Sequence, residues 1–208
     1  MSPTGVEAAV ESRRRGRPRS TEADEAILAA AFAVFAECGF DGMTVEGVAA
    51  RAGVGKGTIY RRYDNKLDLV IAASQYFAQE REALPDTGTI EGDLRVLVDR
   101  LIAVFTSSPV GTALPMLIAE RRRIPELAAS HDEITAKKRE RNRTVIRRAI
   151  DRGDLRADAD PELVIDAYVS PVLYRFLVTD LPLDAKFAAN VVKTAIRAFG
   201  CSRTRGDE

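Results

Sequence analysis

The amino-acid sequence predicts an all-α protein, and three observations support this prediction. Apolar residues recur at spacings of three and four along most of the 208 residues. No segment shows the sustained alternation of apolar and polar residues that a half-buried strand requires. Glycine and proline fall where the apolar periodicity breaks, as they do at helix ends. The predicted architecture is a compact N-terminal head of three helices, a connecting helix and a larger helical body.

Composition excludes several classes of protein. The 31 basic and 31 acidic residues balance, so the total charge does not predict a polyanionic partner. No apolar run approaches the ~18–20 residues that span a bilayer and no signal peptide opens the sequence, so we expect a cytoplasmic protein without membrane contact. Cys38, Cys201 and His131 are too few and too distant for a disulfide framework or a zinc site, so neither metal nor cofactor is expected. Because nucleophile, base and metal ligands are not clustered, the sequence does not predict an enzyme.

The head is predicted over residues 21–66, after a disordered basic arm at residues 1–20. Its first helix begins at Thr21, with Asp24 as the capping-box partner, and Gly39 supplies a left-handed stop. These signals place one long helix in front of the next motif.

Two short helices follow within residues 44–63. Thr44 is the predicted N-cap of the second helix, and Gly53 ends that helix after about two turns. The third helix is predicted over residues 56–63, with Ile59 and Tyr63 facing inward. Two short helices joined by a glycine turn indicate a helix-turn-helix.

The rest of the chain is predicted to form a connecting helix and a body. Asn65, with Asp68, caps a connecting helix at residues 67–84, and the body covers residues 89–208. Body helices are predicted over 94–105, 112–123, 125–152, 160–180 and 184–199. Pro171 is expected to kink the fourth of these, because it cannot donate to the carbonyl of Ala167.

The third helix carries the residue types that contact DNA. With Ile59 and Tyr63 inward, Gly57, Thr58, Tyr60 and Arg61 project outward and Arg62 flanks the edge. Hydroxyl and guanidinium groups hydrogen-bond base edges and phosphates, so this helix is predicted to enter the major groove of double-stranded DNA. A phosphate-binding loop at residues 53–58 is disfavoured, because Gly57 rather than Ser or Thr follows Lys56 and the preceding segment is a helix.

A set of residues across this region carries a family resemblance. They are Ala30, Ala31, Phe32, Phe35, Gly39, Phe40, Thr44, Val45, Val48, Ala49, Ala52, Gly53, Val54, Lys56, Gly57, Thr58, Ile59, Tyr60, Tyr63 and Lys66. With them, residues 21–77 resemble the tetracycline-repressor (TetR) family of bacterial transcriptional regulators, an all-α family whose N-terminal helix-turn-helix head precedes a ligand-binding and dimerisation domain.

The resemblance implies a role for individual residues. Thr44, Tyr60 and Lys66 would hold phosphates, and Gly57, Thr58, Arg61 and Arg62 would lie against bases or backbone, with Lys56 beside them. Gly55 departs from the family pattern, because many members carry a hydroxyl residue there. Arg61 and Arg62 stand where aromatic residues or histidine are frequent, which indicates guanine readout or a larger share of phosphate contacts.

The basic arm carries five arginines at residues 13–19 and no acidic residue there. Its Arg-Gly-Arg-Pro core is similar to an AT-hook, whose extended backbone lies in a narrow minor groove. Such grooves concentrate negative potential, so Arg15, Arg17 and Arg19 are predicted to contact DNA. The alternative is a tail that only aids solubility.

The body carries less information. The helix over residues 163–178 is apolar on nearly every side, which predicts a core on one side and a partner subunit on the other. The resemblance implies a ligand-binding and dimerisation domain here. Candidate pocket residues are Phe105, Met116, Tyr168 and Tyr174, for which simple core packing is the equal alternative. Candidate dimer-interface residues are Val172, Phe187, Val191, Ala195 and Phe199.

These observations together predict a homodimeric, DNA-binding transcriptional regulator. We expect a repressor that a small apolar effector releases from a palindromic operator. The alternative is an architectural DNA-binding protein that uses the arm and head without an effector.

Overall fold

The computed structural model describes residues 18–79 and 82–201, with side chains from residue 22 onward. Within these ranges the chain is helical, with one isolated β-bridge between Leu155 and Gly200 and no strand, so the predicted all-α fold is confirmed. The helices are α1 Pro18–Gly42, α2 Val45–Ala52, α3 Lys56–Tyr60, α4 Lys66–Ala78, α5 Ile90–Ser107, α6 Pro109–Glu120, α7 Pro125–Asp151, α8 Pro161–Tyr174 and α9 Ala185–Phe199. A π-helical turn, Arg175–Thr179, continues α8.

One apolar core lies under the head. Its buried residues come from α1, α2, α3 and α4, and include Phe32, Phe35, Val48, Ile59 and Leu69. Residues of α6 and α7 enter the same cluster, namely Ala113, Leu117 and Leu127. The head therefore packs directly on α6 along α1.

A second core lies inside the body. It joins α5, α7, α8 and α9 through residues such as Leu94, Ile146, Ile165, Tyr168 and Val191. Each of these five side chains is at most 5% exposed. Burial of this extent contributes about 1.5–3 kcal/mol per large apolar side chain, so this cluster is the main source of body stability.

The helix-start signals in the sequence correspond to observed caps. The side chain of Thr44 accepts from the backbone N–H of Gly47, and that of Asn65 accepts from Leu67 and Asp68. Asp184 accepts from Phe187 at the start of α9. Each cap satisfies a donor that the first helical turn leaves unpaired.

Several predicted helix ends are wrong. α1 begins at Pro18 and not at Thr21, because proline suits the first turn of a helix. α3 ends at Tyr60 and not at residue 63, and α4 ends at Ala78 and not at residue 84. α6 starts at Pro109, earlier than residue 112, because the Ser108 side chain caps it.

Residues 82–85, which precede α5, are held by arginines of the body. Arg100 donates to the carbonyl of Ala83, Arg141 to that of Glu82, and Arg148 to that of Pro85. Side chains from α5 and α7 thus supply donors to backbone carbonyls of residues 82–85, which lie outside any helix.

Among the described helices, none alone has the length and apolar character needed to cross a membrane. The pair α5 and α6 reaches it only when the two are taken together across an 83° bend. In the same part of the chain, no group of three or more His, Cys, Asp and Glu side chains could hold a metal ion.

Candidate nucleic-acid interface

The helix-turn-helix is built on a small apolar seam. Val45, Val48 and Ala49 of α2 are buried, and so is Ile59 of α3. Gly53 turns the chain between them in a left-handed conformation (φ 67°), and its N–H donates to the carbonyls of Ala49 and Ala50. Because the seam uses only one face of the short α3, the opposite face is left to solvent.

The exposed face of α3 presents the predicted readout residues together. Gly57, Tyr60 and Arg61 are exposed and Thr58 is half-buried. A guanidinium nitrogen of Arg61 donates to the hydroxyl of Thr58 at 3.2 Å, which lays the arginine along the helix. A planar guanidinium held this way can present two N–H groups to one acceptor pair, the geometry that recognises guanine.

The other predicted cations of this face are paired inside the head. Lys56 lies 2.6 Å from Glu46 of α2, and Arg62 lies 2.6 Å from Asp24 of α1. The Lys56–Glu46 pair is exposed, and exposed pairs contribute little to stability, so a phosphate can compete for Lys56 at little cost. Arg62 is less exposed and joins the turn after α3 to α1.

The hydroxyl group of Thr44 can cap α2 and contact DNA at the same time. Its hydroxyl oxygen accepts from Gly47 at 3.0 Å, while the residue stays exposed at the start of α2. The hydroxyl proton is not used by that bond, so the group can donate to a phosphate without giving up the cap.

Lys66, for which the family resemblance implies a phosphate contact, instead binds the backbone of the protein itself in the structure. Its ammonium donates to the carbonyls of Phe40, Asp41 and Met43 at 2.7, 3.3 and 3.3 Å, and it lies 4.6 Å from the ring centroid of Phe40. An ammonium has three N–H donors, so all of them are engaged. Lys66 joins the start of α4 to the end of α1 and is not presented as a phosphate ligand.

The basic arm falls mostly outside what the structure describes. Arg15 and Arg17 lie outside the described residues, as does the side chain of Arg19. The backbone of Pro18 and Arg19 is already helical, so the arm ends sooner than the predicted residue 20. A minor-groove contact by Arg15, Arg17 or Arg19 stays a prediction.

The four candidate pocket residues do not share a pocket. Phe105 and Tyr168 are buried in the body core, where Phe105 stacks on Phe176 with 4.9 Å between ring centroids. Met116 packs against the head core, and Tyr174 is 59% exposed. Core packing, the alternative given for each candidate, therefore describes Phe105 and Tyr168, and a ligand contact at any of the four residues stays a prediction.

An open cavity of about 450 Å³ lies elsewhere, between α1 and the junction of α5 and α6. The residues that line it are Ala29, Ala33, Thr106, Ser107, Ser108, Pro109 and Thr112. Sequence reasoning does not single out any of them, because small and hydroxyl side chains at helix ends carry no ligand signature.

The predicted dimer residues are also corrected. Val172, Phe187, Val191 and Ala195 are at most 9% exposed and belong to the core of the subunit itself, and Phe199 packs against that core. The apolar stripe of α9 is therefore covered largely by the subunit itself, which leaves little of it for contact with a partner.

A different apolar face is exposed on α8 and the segment after it. Its residues are Leu163, Tyr174, Leu177, Val178 and Leu181, between 37% and 66% exposed. Leu163 and Tyr174 are eleven positions apart, three turns of α8, and so lie on one side of that helix, while Leu177 and Val178 lie in the π-helical turn and Leu181 in the segment after it. We call these five residues the α8 face. The sequence indicates such a face, because the helix is apolar on nearly every side. The sequence does not show which of these sides is exposed.

Comparison with known proteins supports the same assignment for both parts of the chain. Residues 27–73 match the family model "Bacterial regulatory proteins, tetR family", and residues 84–195 match "Tetracyclin repressor-like, C-terminal domain". An HTH-type transcriptional regulator of Bacillus subtilis, YdeS, is 32% identical over 88% of this chain and 93% of its own. A DNA-binding transcriptional repressor, TetR, of Mycobacteroides abscessus is 31% identical over 86% of this chain and 92% of its own. The structure of the regulator FadR from Bacillus subtilis in complex with stearoyl-CoA is 20% identical, covers 82% of this chain and 96% of its own, and superposes with a TM-score of 0.67.

Proposed function

This chain belongs to the TetR family of bacterial transcriptional regulators, and from that premise we propose that it is a homodimeric repressor that leaves its operator when a small molecule binds. The observation that carries the proposal is the exposed face of α3, which sets Thr58 and Arg61 side by side on a short helix whose Ile59 is packed in the head core. The M. abscessus relative named a transcriptional repressor supports the direction of regulation.

The DNA contacts divide into readout and positioning. Arg61, prepositioned by Thr58, reads base edges in the major groove, with Gly57 allowing close approach of the helix. Thr44, Lys56, Tyr60 and Arg62 hold phosphates on either side and set the register of the head. In this assignment Lys66 acts through the backbone of residues 40–43 and not through DNA.

Dimerisation is assigned to the α8 face. Groups of large exposed apolar side chains on a soluble protein mark interfaces, and Tyr174, Leu177, Val178 and Leu181 lie close together in the sequence at the end of α8. A two-fold axis through this face pairs it with the same residues of a second copy, as most homodimers do. The dimer then supplies two heads, which a palindromic operator requires.

An effector acts by preferring one arrangement of head and body over the other. The stearoyl-CoA bound to FadR supports the expectation of a ligand for a protein of this fold. For the present chain we propose a small, largely apolar molecule, because the described body presents apolar and hydroxyl side chains along the seam with the head.

The experiment that tests the proposal is selection of DNA fragments by the purified full chain, followed by footprinting. We expect fragments that share an inverted repeat, with two protected half-sites about one helical turn apart. Recovery of fragments without a shared sequence would instead support an architectural protein. Compounds are then screened for release of the selected fragment, and release by none would remove the effector from the proposal.

A further inference from the structure

A charged contact joins the head to the body at the C-terminal end of α6. Arg123, in the turn after α6, donates to a carboxylate oxygen of Asp41 at 2.9 Å and to Glu120 at 3.0 Å. Asp41 lies 82 residues earlier, at the end of α1, whereas Glu120 is the last residue of α6 and is buried. We call Asp41, Glu120 and Arg123 the charged joint.

The joint lies against a break in α1. Gly39 has a positive φ of 67°, which interrupts the helix before its last turn. A Cβ atom added at Gly39 would lie 3.6 Å from a carboxylate oxygen of Glu120 and 3.7 Å from the sulfur of Met116, so the end of α6 is in contact with this break.

The same short segment is held from the head side by Lys66. Its ammonium bonds the carbonyls of residues 40, 41 and 43, and the N–H of Met43 donates to the carbonyl of Gly39. Residues 39–43 are thus fixed between the end of α6 and the start of α4. The next residue is Thr44, the N-cap of α2, so a displacement of α6 at this point reaches the entrance of the helix-turn-helix directly.

The Asp41–Arg123 ion pair affects the orientation of the head on the body more than it affects the free energy of unfolding. The Arg123 guanidinium hydrogen-bonds the Asp41 carboxyl and holds its pKa below the ordinary value, so Asp41 is ionised at neutral pH. Both side chains are largely exposed, and exposed pairs contribute little to the free energy of unfolding. A contact that is weak in stability but crosses between two packed bodies can still select one angle between them.

We propose that Asp41 and Arg123 are positioning residues for operator binding, which fix the angle of the head on the body and hence the separation of the two heads in the dimer. This inference rests on the proposed function, because the separation of two heads matters only to a dimer on one duplex. Glu120, buried beside Gly39, holds Arg123 at the end of α6 and so makes the angle depend on α6.

The test compares operators whose half-sites are moved apart or together by one base pair. One added base pair rotates the second half-site by about 35° around the duplex, so wild type should lose affinity about tenfold or more. Arg123→Gln loosens the angle between head and body. For this variant we expect one added base pair to lower the operator affinity by only about threefold or less. Asp41→Asn should do the same, and adding it to Arg123→Gln should cause no further change, because Arg123→Gln has already removed the Arg123–Asp41 contact that Asp41→Asn would break.

The matched control is Arg122→Gln, which removes the same charge from an exposed side chain one residue away. It should keep the wild-type dependence on spacing. A simple loss of charge shifts affinity equally at all spacings, so a uniform shift in Arg123→Gln would overturn the inference.

A measurement without DNA separates this inference from the proposed function. In Arg123→Gln, hydrogen exchange of the Met43 amide should be faster than in wild type and in Arg122→Gln, with an unchanged melting temperature. Unchanged exchange would overturn the charged joint. Failure of wild type to select any palindromic DNA would overturn the proposed function while leaving this exchange result to decide the joint.

Discussion

Asp93, in the first turn of α5, is a fully buried carboxylate whose removal should destabilise the body measurably. One oxygen accepts from the backbone N–H and the hydroxyl of Thr87 at 2.7 and 2.9 Å, and the other accepts from Arg152 at 3.2 Å. These bonds fasten the segment after α4 to α5 and to the end of α7. No local sequence pattern predicts this contact, because Thr87, Asp93 and Arg152 are brought together only by the fold.

The expected decrease in the free energy of unfolding follows from the hydrogen bonds that Asp93→Asn keeps and those that it removes. The amide oxygen still accepts from Thr87, but the amide NH₂ faces Arg152, so a charged hydrogen bond is replaced by two opposed donors. Hydrogen bonds to charged groups contribute about 1.5–3 kcal/mol, and we expect a decrease of about 2–3 kcal/mol in the free energy of unfolding. The matched control is Asp99→Asn on the same helix, whose exposed bond to Arg95 at 2.8 Å predicts about 0.3–0.5 kcal/mol.

The assay is urea unfolding at one fixed subunit concentration, because dimerisation makes stability depend on concentration. Burial opposes the charged form of Asp93, but the hydrogen bonds from Thr87 and Arg152 outweigh it, so the folded pKa lies below the ordinary 3.8. A lowered folded pKa means that the contribution is fully present above the unfolded pKa and is lost as the pH falls through the folded pKa. The difference between wild type and Asp93→Asn should therefore stay constant from pH 7 to about 5 and shrink below about 4. An Asp93→Asn variant no less stable than Asp99→Asn would refute the reasoning.

Three further predictions concern DNA and assembly. Arg61→Ala should weaken operator binding about tenfold or more in a titration, with the melting temperature unchanged, whereas the distant Arg147→Ala should bind like wild type; equal affinities would remove Arg61 from the interface. Deletion of residues 1–17 should lower affinity and flatten the dependence of log K on log salt by about 0.9 for each phosphate that the arm neutralises, and an identical slope would mean that the arm does not touch phosphates. Val178→Asp places a charge on the α8 face and should sediment as a folded monomer. Val191→Asp places a charge in the body core and should instead lower the melting temperature. A Val178→Asp variant that sediments as a dimer would contradict the proposed interface.

Sequence reasoning succeeds where the structure depends on neighbouring residues. The caps at Thr44 and Asn65 and the left-handed turn at Gly53 use partners within five positions, so the signal is complete in the local sequence. The helix-turn-helix and its outward α3 face follow from that local signal and the apolar spacing, with Ile59 buried as expected.

Prediction from the sequence fails where the interacting residues are distant in the chain. Lys66 resembles a phosphate ligand in the sequence, but its acceptors lie 23–26 residues earlier in the chain. The apolar stripe of α9 suggests a dimer interface, but a stripe shows only that one side is buried and not by what. Val191 is covered by the subunit's own α5 and α8, which leaves α8, apolar on two sides, to supply an outer face.

The seam between head and body sets how an effector can act. Ala113 and Leu117 of α6 lie in the same apolar cluster as α1, so the head does not hang from the body on α4 alone. Separating two surfaces that share a core exposes apolar area to water, at about 25 cal/mol per Å², whereas sliding them past one another does not. Small shear along packed helices is therefore the motion that this seam permits. Asp41 and Arg123 cross the seam at its edge, where a slide of a few ångströms breaks their contact, so a change in the body can be registered at the entrance of α2 without unpacking either core.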